Sequence, residues 1–158
     1  MRFRLTVPRA QQCSSEFFYS GPVAAFFAFL LFVASFPADA EDDWRSHGVT
    51  ENGVVYVNAV EAAALLRDRP QTVVLDVRTG LEYNQGHLSD AVNINYYSFS
   101  FSRQLARLDP EKVYLLHCKV GVRSSKSIAL MKKAGLHNIV HLDGGIDAWL
   151  AAGLPTVK

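Results

Sequence analysis

The sequence predicts an α/β fold with a mostly parallel central sheet and helices on both faces. Short apolar segments alternate with helical ones between residues 54 and 158, which is typical of β-α-β units. The run at 72–76 is uncharged until its final acid, as expected for a strand buried on both faces of a parallel sheet. At 158 residues and 49% hydrophobic content, the chain is long and apolar enough for one domain with a true core.

Composition excludes several classes of function. The 16 Lys and Arg residues balance 15 Asp and Glu residues, so we expect no nucleic-acid partner. The two cysteines, Cys13 and Cys118, are too few and too far apart for a disulfide framework or a four-cysteine zinc site. The five histidines have no ligand-like spacing, so we expect no metal site and no other cofactor.

Residues 1–40 have the character of an export signal. The stretch 23–36 carries no charge, follows Arg2, Arg4 and Arg9, and precedes the small-residue pattern Pro-Ala-Asp-Ala. A membrane span needs about 20 apolar residues, so this stretch is short for a span and suits a signal-peptide core. We therefore predict a signal peptide over 1–40, with an uncleaved anchor as the alternative. A polar lead-in over 41–53 and the folded domain over 54–158 would follow.

The first half of the domain is predicted from capping signals and apolar runs. Asn58 is a suitable N-cap and Glu61 its capping-box partner, which predicts a helix that ends before Pro70. Gly86 closes a short helical turn, and a proline at 110 ends the next helix. The predicted elements are a strand at 54–57, a helix at 59–67, a strand at 72–76, a helical turn at 81–85, a strand at 91–94 and a helix at 102–108.

The second half repeats the alternation and carries the most informative segment. The predicted elements are a strand at 112–117, a loop at 118–123, a helix from Ser124 to about 133, a strand at 139–142 and a helix at 146–152. Gly135 supplies the residue after the longer helix. The compact loop therefore joins the carboxyl end of a strand to the start of a helix, which is where ligands bind in sheets of this kind.

Cys118 opens that loop and is the cysteine that would remain after signal cleavage. Backbone N–H groups at a helix start favour an anion, and Gly121 allows a tight turn. Lys119 and Arg123 add positive charge, and a thiolate in such surroundings has a lowered pKa. The pattern predicts a reactive thiolate that needs no separate general base. The alternative is an inert cysteine buried as a small hydrophobic residue.

Local charge also favours an anionic ligand. The segment 112–142 contains six basic residues and no acid, although the chain as a whole is balanced. A solvated basic helix face accounts equally well for Lys126, Lys132 and Lys133. Lys119 and Arg123 flank the thiol, and for them binding of an anion is the stronger interpretation.

Three groups of residues, in this order, resemble the rhodanese (thiosulfate sulfurtransferase) family. They are Asp-Val-Arg at 76–78 with Glu-Tyr at 82–83, Gly-His-Leu at 86–88 and the strand at 91–94; the loop Cys-Lys-Val-Gly-Val-Arg-Ser at 118–124; and Leu-Asp-Gly-Gly-Ile at 142–146 with Trp149 and Gly-Leu-Pro at 153–155. The resemblance covers about 55–158. With the export signal, it is most similar to the small periplasmic rhodaneses of bacteria. It implies a periplasmic or secreted protein, or one anchored to the inner membrane if the signal is not cleaved.

The resemblance implies a specific chemistry. Cys118 would attack the outer sulfur of thiosulfate, release sulfite and keep a persulfide, which cyanide or a thiol would then remove. The expected partners are thus a small sulfur donor and a thiol or cyanide acceptor. The loop residues would cradle the persulfide, with Arg123 and Lys119 on the sulfonate end of the donor. The cradle comprises Lys119, Val120, Gly121, Val122, Arg123 and Ser124, and Asp76 and Arg78 would form a structural ion pair nearby.

Two other functions are weighed against this one. A module of the same family could carry sulfur or dock a partner without turnover. Phosphatases and arsenate reductases of related fold place five residues between Cys and Arg, whereas four separate Cys118 from Arg123. The shorter loop suits a smaller anion, so these activities rank below sulfur transfer. The sequence leaves the oligomeric state open.

Overall fold

The computed structural model describes residues 43–158. The predicted signal peptide or anchor over 1–40 and Cys13 lie outside the described residues. Among the described residues, no helix combines the length and the apolar character that a membrane crossing requires.

Within the described residues, one six-stranded sheet has the spatial order β1-β2-β6-β5-β3-β4. The strands are β1 Val49–Glu51, β2 Val54–Val57, β3 Val73–Asp76, β4 Val92–Asn93, β5 Tyr114–His117 and β6 Ile139–Leu142. The helices are α1 Ala59–Asp68, α2 Gly80–Gln85, α3 Phe101–Leu105, α4 Val122–Lys133 and α5 Gly145–Ala151. Every strand pair is parallel except β1 with β2. The predicted α/β fold with a mostly parallel sheet is confirmed.

Side chains of the central strands alternate between two separate cores, because successive residues of a strand point to opposite faces. In β5, Leu115 belongs to one buried cluster, whereas Tyr114 and Leu116 belong to the other. The first cluster includes side chains of α1 and α5, and the second includes side chains of α3 and α4. Helices therefore cover both faces, and the uncharged runs noted in the sequence are strands enclosed on two sides.

The capping box predicted for the first helix is present in the structure. The Asn58 side chain accepts hydrogen bonds from the N–H groups of Val60 and Glu61, and the Glu61 carboxylate accepts one from the Asn58 N–H. Thr79 and Glu82 form the same reciprocal arrangement at the start of α2. Each box satisfies donors that would otherwise lack a partner at a helix start.

Two boundaries differ from the sequence prediction. Helix α4 begins at Val122, so Arg123 lies in its first turn and the loop is shorter than 118–123. Gly121 is the N-cap, at φ +95°, a conformation that only glycine adopts without strain. Helix α3 ends at Leu105, earlier than 108.

The described part of the predicted lead-in over 41–53, residues 43–53, contains regular structure. Asp43–His47 form a short 3-10 helix, and β1 pairs antiparallel with β2 at the edge of the sheet. Trp44 is buried in the core cluster beneath α1 and α5. A single large apolar residue among polar neighbours gives no periodic signal, which is why the sequence did not predict this contact.

Candidate active site

Cys118 follows β5, which lies between β3 and β6 in the middle of the sheet. The carboxyl ends of three parallel strands therefore surround the start of the loop. This is the edge at which α/β sheets bind ligands.

The start of α5 holds the loop in one orientation. The Ile146 N–H donates to the Cys118 carbonyl at 2.9 Å, and the Asp147 N–H donates to the Lys119 carbonyl at 3.0 Å. Gly145 makes this approach possible, since a Cβ there would lie 2.5 Å from the Cys118 carbonyl oxygen. With both carbonyls bound to α5, the amides that follow are free to face the sulfur.

Hydrogen-bond donors converge on the Cys118 sulfur. The Gly121 N–H donates to Sγ at 3.2 Å, and the Ser124 hydroxyl lies within donating distance at 3.5 Å. Burial raises the pKa of the thiol, but donors from the Ser124 hydroxyl and from the N–H groups of Ser124, Gly121 and Val120 outweigh it. The net pKa of Cys118 is lower than its ordinary value, so the thiolate is favoured.

The sulfur is more enclosed than the sequence suggested. Cys118 is 1% exposed and contributes to the same apolar cluster as Leu116 and Met131. The neighbouring side chains of Lys119, Val120 and Val122 are exposed. A reactant must therefore reach the sulfur from the loop side, because the sheet and the core close the other side.

Arg123, which was expected to contact the sulfonate end of a donor, forms an ion pair with Glu82. Its two terminal nitrogens each donate to one carboxylate oxygen of Glu82, both at 2.7 Å. The Arg123 hydrogen bonds lower the pKa of Glu82 to about 2, and the pairing raises the pKa of Arg123. The guanidinium also lies 5.8 Å from the Tyr97 ring centroid. Glu82 uses two of the five guanidinium N–H donors, and the expected contact of Arg123 with a sulfonate stays a prediction.

Asp76 and Arg78 form a buried ion pair beside the site. The Arg78 guanidinium donates to Asp76 at 2.6 Å and to the Gly86 carbonyl at 2.8 Å, which ties β3 to the end of α2. Both residues are at most 5% exposed. His117 Nε2 lies 3.8 Å from Asp76, and burial lowers the pKa of His117. These groups fix the strand ends, and the hydrogen bonds to the sulfur come from other residues.

A cavity of about 350 Å³ lies next to the loop. Its lining includes Lys119 of the loop and Glu82 of the ion pair. Further residues of the lining include Arg78, Gln85, Asp147 and Leu150. Cys118 is not among the lining residues, so the cavity is a neighbour of the reactive atom and not its immediate container.

Sequence reasoning missed two residues of this region, Glu82 and His141. In the sequence Glu82 stands out only as part of the family pattern, and its partner Arg123 is 41 residues away. The sequence predicts only a strand around His141, yet the His141 ring forms a hydrogen bond with the Ser124 hydroxyl at 2.9 Å. The sequence gives no signal for either contact, because both depend on how separate elements pack.

Among residues 43–158, no group of three His, Cys, Asp or Glu side chains could hold a metal ion. The site instead combines one cysteine, a tight loop of N–H donors and a helix start at the carboxyl end of a parallel strand. This combination defines a class of α/β proteins that carry a cysteine with a lowered pKa at the carboxyl end of a central strand.

The comparison with known families gives the class its name: the chain belongs to the rhodanese-like domain family, whose model matches residues 58–152. The resemblance stated from the sequence is thereby confirmed. A rhodanese-related protein of Thermoplasma volcanium is 30% identical, with a TM-score of 0.56 over 65% of this chain and 96% of that one. The rhodanese-like domain of an Anabaena protein is 26% identical, with a TM-score of 0.58 over 65% of this chain and 78% of that one.

Curated relatives are longer proteins. A probable adenylyltransferase/sulfurtransferase MoeZ of Mycobacterium tuberculosis is 40% identical over 48% of this chain and 19% of its own length. A tRNA uridine(34) hydroxylase of Teredinibacter turnerae is 41% identical over 65% of this chain and 34% of its own. An uncharacterised protein of Synechocystis is 36% identical over 59% of this chain and 51% of its own. The matched region thus spans 19–51% of these relatives. Together with the family match, they place the chain in a superfamily of the sulfurtransferase type.

Proposed function

We propose that this protein is a sulfurtransferase that moves a sulfane sulfur from thiosulfate or a similar donor to cyanide or a thiol. The observation that carries the proposal is the Cys118 sulfur, which accepts the Gly121 N–H at 3.2 Å and has a lowered pKa. A thiolate is the reactive form of cysteine as a nucleophile. The family and the name of the MoeZ relative support the same reaction type.

The reaction proceeds in two balanced half-reactions. The Cys118 thiolate attacks the outer sulfur of thiosulfate, a new S–S bond forms, and the old S–S bond breaks with its electron pair leaving on sulfite. The resulting persulfide anion is stabilised by the loop N–H donors of Val120, Gly121 and Ser124. Cyanide or a thiolate then takes the outer sulfur, and the Cys118 thiolate is restored. A covalent intermediate of this kind predicts ping-pong kinetics.

Lys119 is the cation that we assign to the anionic end of the donor. It lies next to Cys118, is exposed and lines the adjacent cavity. Arg123 keeps the predicted sulfonate contact and also has a structural part in the proposal, because its pairing with Glu82 joins the start of α4 to α2. We assign to Arg123 the support of the loop, and to the 118–123 spacing the exclusion of larger oxyanions.

A test compares the wild-type protein with Cys118→Ser for thiocyanate formation from thiosulfate and cyanide. We expect the variant to lose activity, because serine forms no persulfide. Peptide mass spectrometry after thiosulfate treatment should show an adduct of about 32 Da on Cys118. Cys13, where it is present, is the internal control thiol and should stay unmodified. Full activity in Cys118→Ser, or an adduct on Cys13 alone, would overturn the proposal.

A sulfur carrier that delivers its persulfide to a protein thiol is the second candidate. The exposed apolar side chains of Val120 and Val122 beside the enclosed sulfur favour it, since a protein surface could cover them. The discriminating result is an adduct on Cys118 without thiocyanate formation from cyanide. An adduct with rapid thiocyanate formation supports the enzyme.

We also propose export through residues 1–40, which the sequence supports on its own. A protein whose N-terminus begins at Glu41 after expression in a host that exports proteins would support cleavage of the signal. An N-terminus that begins before Glu41 would indicate an anchor or another processing site.

A further inference from the structure

His141 is a buried histidine with polar partners on both ring nitrogens. It lies in β6 and is 2% exposed. Its Nδ1 is 3.0 Å from an Asp143 carboxylate oxygen, and its Nε2 is 2.9 Å from the Ser124 hydroxyl oxygen. The same hydroxyl is 3.5 Å from the Cys118 sulfur. A continuous chain of hydrogen-bonding groups therefore runs from Asp143 to the thiol.

The Ser124 hydroxyl has one proton and three acceptors within reach. These are the Gly121 carbonyl at 2.8 Å, His141 Nε2 at 2.9 Å and Cys118 Sγ at 3.5 Å. A hydroxyl donates one hydrogen bond but can accept others. When Nδ1–H of a neutral His141 donates to Asp143, Nε2 is an acceptor and competes for the hydroxyl proton. When His141 is protonated, Nε2–H donates to the hydroxyl oxygen, and the hydroxyl proton can turn to the sulfur.

We propose that His141 is a positioning residue for the Cys118 nucleophile, acting through Ser124 by taking up the proton that the thiol releases. This deepens the sulfurtransferase function proposed above and rests on it for its biological purpose.

The proton balance is simple. The Sγ–H proton passes to the Ser124 oxygen while the Ser124 hydroxyl proton passes to His141 Nε2. The products are a Cys118 thiolate and a His141 imidazolium. The two shifts together transfer one proton from the thiol to the ring, and the total charge of the site is unchanged. Asp143 orients the ring and compensates the imidazolium charge. When sulfur has been delivered and the thiolate is restored, the same path run in reverse returns the proton.

Other polar groups also face the His141 ring. Tyr56 of β2 lies edge-on at 5.4 Å between ring centroids, and its pKa is raised by burial and by the nearby charges of Glu51 and Asp143. On the α4 side, Ser125 adds a second hydroxyl at 3.3 Å from Nε2. Ser125 shares the contact with His141, whereas the hydroxyl that reaches Sγ is that of Ser124, so Ser125 is the matched control for Ser124.

The experiment measures the rate of Cys118 alkylation by iodoacetamide against pH, read by mass on the peptide that contains Cys118. His141→Gln keeps a polar group next to Ser124 but cannot take the proton. We expect the midpoint of the rate profile to move up by about one pH unit, which is a loss of about tenfold in rate on its acidic side. The plateau at high pH should remain, because it reports access to the sulfur. A merely structural role would change the plateau and leave the midpoint in place.

A double-mutant cycle tests the route through Ser124. Ser124→Ala should remove the effect of His141→Gln, whereas Ser125→Ala should leave it. Asp143→Asn, whose parent side chain is 59% exposed, should shift the midpoint in the same direction and covers the case in which His141→Gln fails to fold. An unchanged midpoint in the folded His141 and Asp143 variants would overturn the inference. Additive shifts in the Ser124→Ala background would overturn it too.

The alkylation readout keeps this inference separate from the proposed function. If no variant or wild-type protein transfers sulfur but His141→Gln shifts the midpoint, the relay stands and the sulfurtransferase proposal fails. If wild-type protein transfers sulfur and the midpoint is unchanged, the reverse holds.

Discussion

Glu82→Gln removes one charge of the Glu82–Arg123 ion pair while keeping an oxygen for the α2 capping box. Both carboxylate oxygens receive hydrogen bonds from Arg123 at 2.7 Å, and the two side chains are 28% and 16% exposed. The pKa of Glu82 falls from 4.5 to about 2. At about 1.36 kcal/mol per pKa unit, the upper limit of the pairing is about 3 kcal/mol. Partial exposure to solvent reduces our expectation to about 1–2 kcal/mol.

The direction of the pH dependence follows from the lowered pKa. Glu82 contributes its stability fully above pH about 4.5, where the unfolded carboxyl is also ionised, and loses it as the pH falls toward about 2. The free energy of unfolding of Glu82→Gln should therefore be lower than that of the wild type near pH 7. The difference should shrink steadily between pH about 4.5 and about 2.

Urea unfolding followed by fluorescence measures this difference, since Trp44 and Trp149 are both buried. Glu61→Gln is the matched control, because Glu61 fills the equivalent capping position in α1 and no ion pair is recorded for it in the described part of the chain. Its stability relative to the wild type should not follow the same pH course. A Glu82→Gln difference that stays constant from pH about 7 to about 2.5 would refute the reasoning.

Two further substitutions probe the support of the site. Asp76→Asn leaves the buried Arg78 charge without its carboxylate, so we expect the free energy of unfolding in urea to fall by about 3–5 kcal/mol. Asp68→Asn, which removes the carboxylate of the exposed pair with Arg67, should cost much less. An equal cost for the two variants would contradict the burial argument. Gly145→Ala brings a Cβ to 2.5 Å from the Cys118 carbonyl at φ +59°, so we expect a loss above about 2 kcal/mol together with slower Cys118 alkylation. Gly153→Ala, at φ +71° in open space, should show the smaller loss and unchanged alkylation, and slowed alkylation there would argue against a local clash.

The fold and the place of the candidate nucleophile in it are accessible from sequence because they depend on local patterns. Buried strands appear as uncharged runs, and Cys118 follows such a run three positions before the glycine that caps a helix. The pattern also overstated the loop by two residues, because Val122 and Arg123 carry no sign of helical backbone.

The contacts that refine the site depend on tertiary distance and could not be found in this way. A single sequence does not show that Glu82 meets Arg123 across 41 positions, or that a strand histidine meets the Ser124 hydroxyl. Positive charges near a thiol therefore suggested a free guanidinium, where the folded chain has an ion pair. Charge counts along a chain record which groups exist, but not which groups are already satisfied.

The two hydrogen bonds from α5 to the carbonyls of Cys118 and Lys119 couple the reactivity of the thiol to a segment about 30 positions later in the chain. Those peptide planes cannot turn over while α5 is intact, so the amides that face the Cys118 sulfur keep their orientation. Mild heat or denaturant that loosens α5 should accordingly lower the reactivity of Cys118 before the central strands unfold.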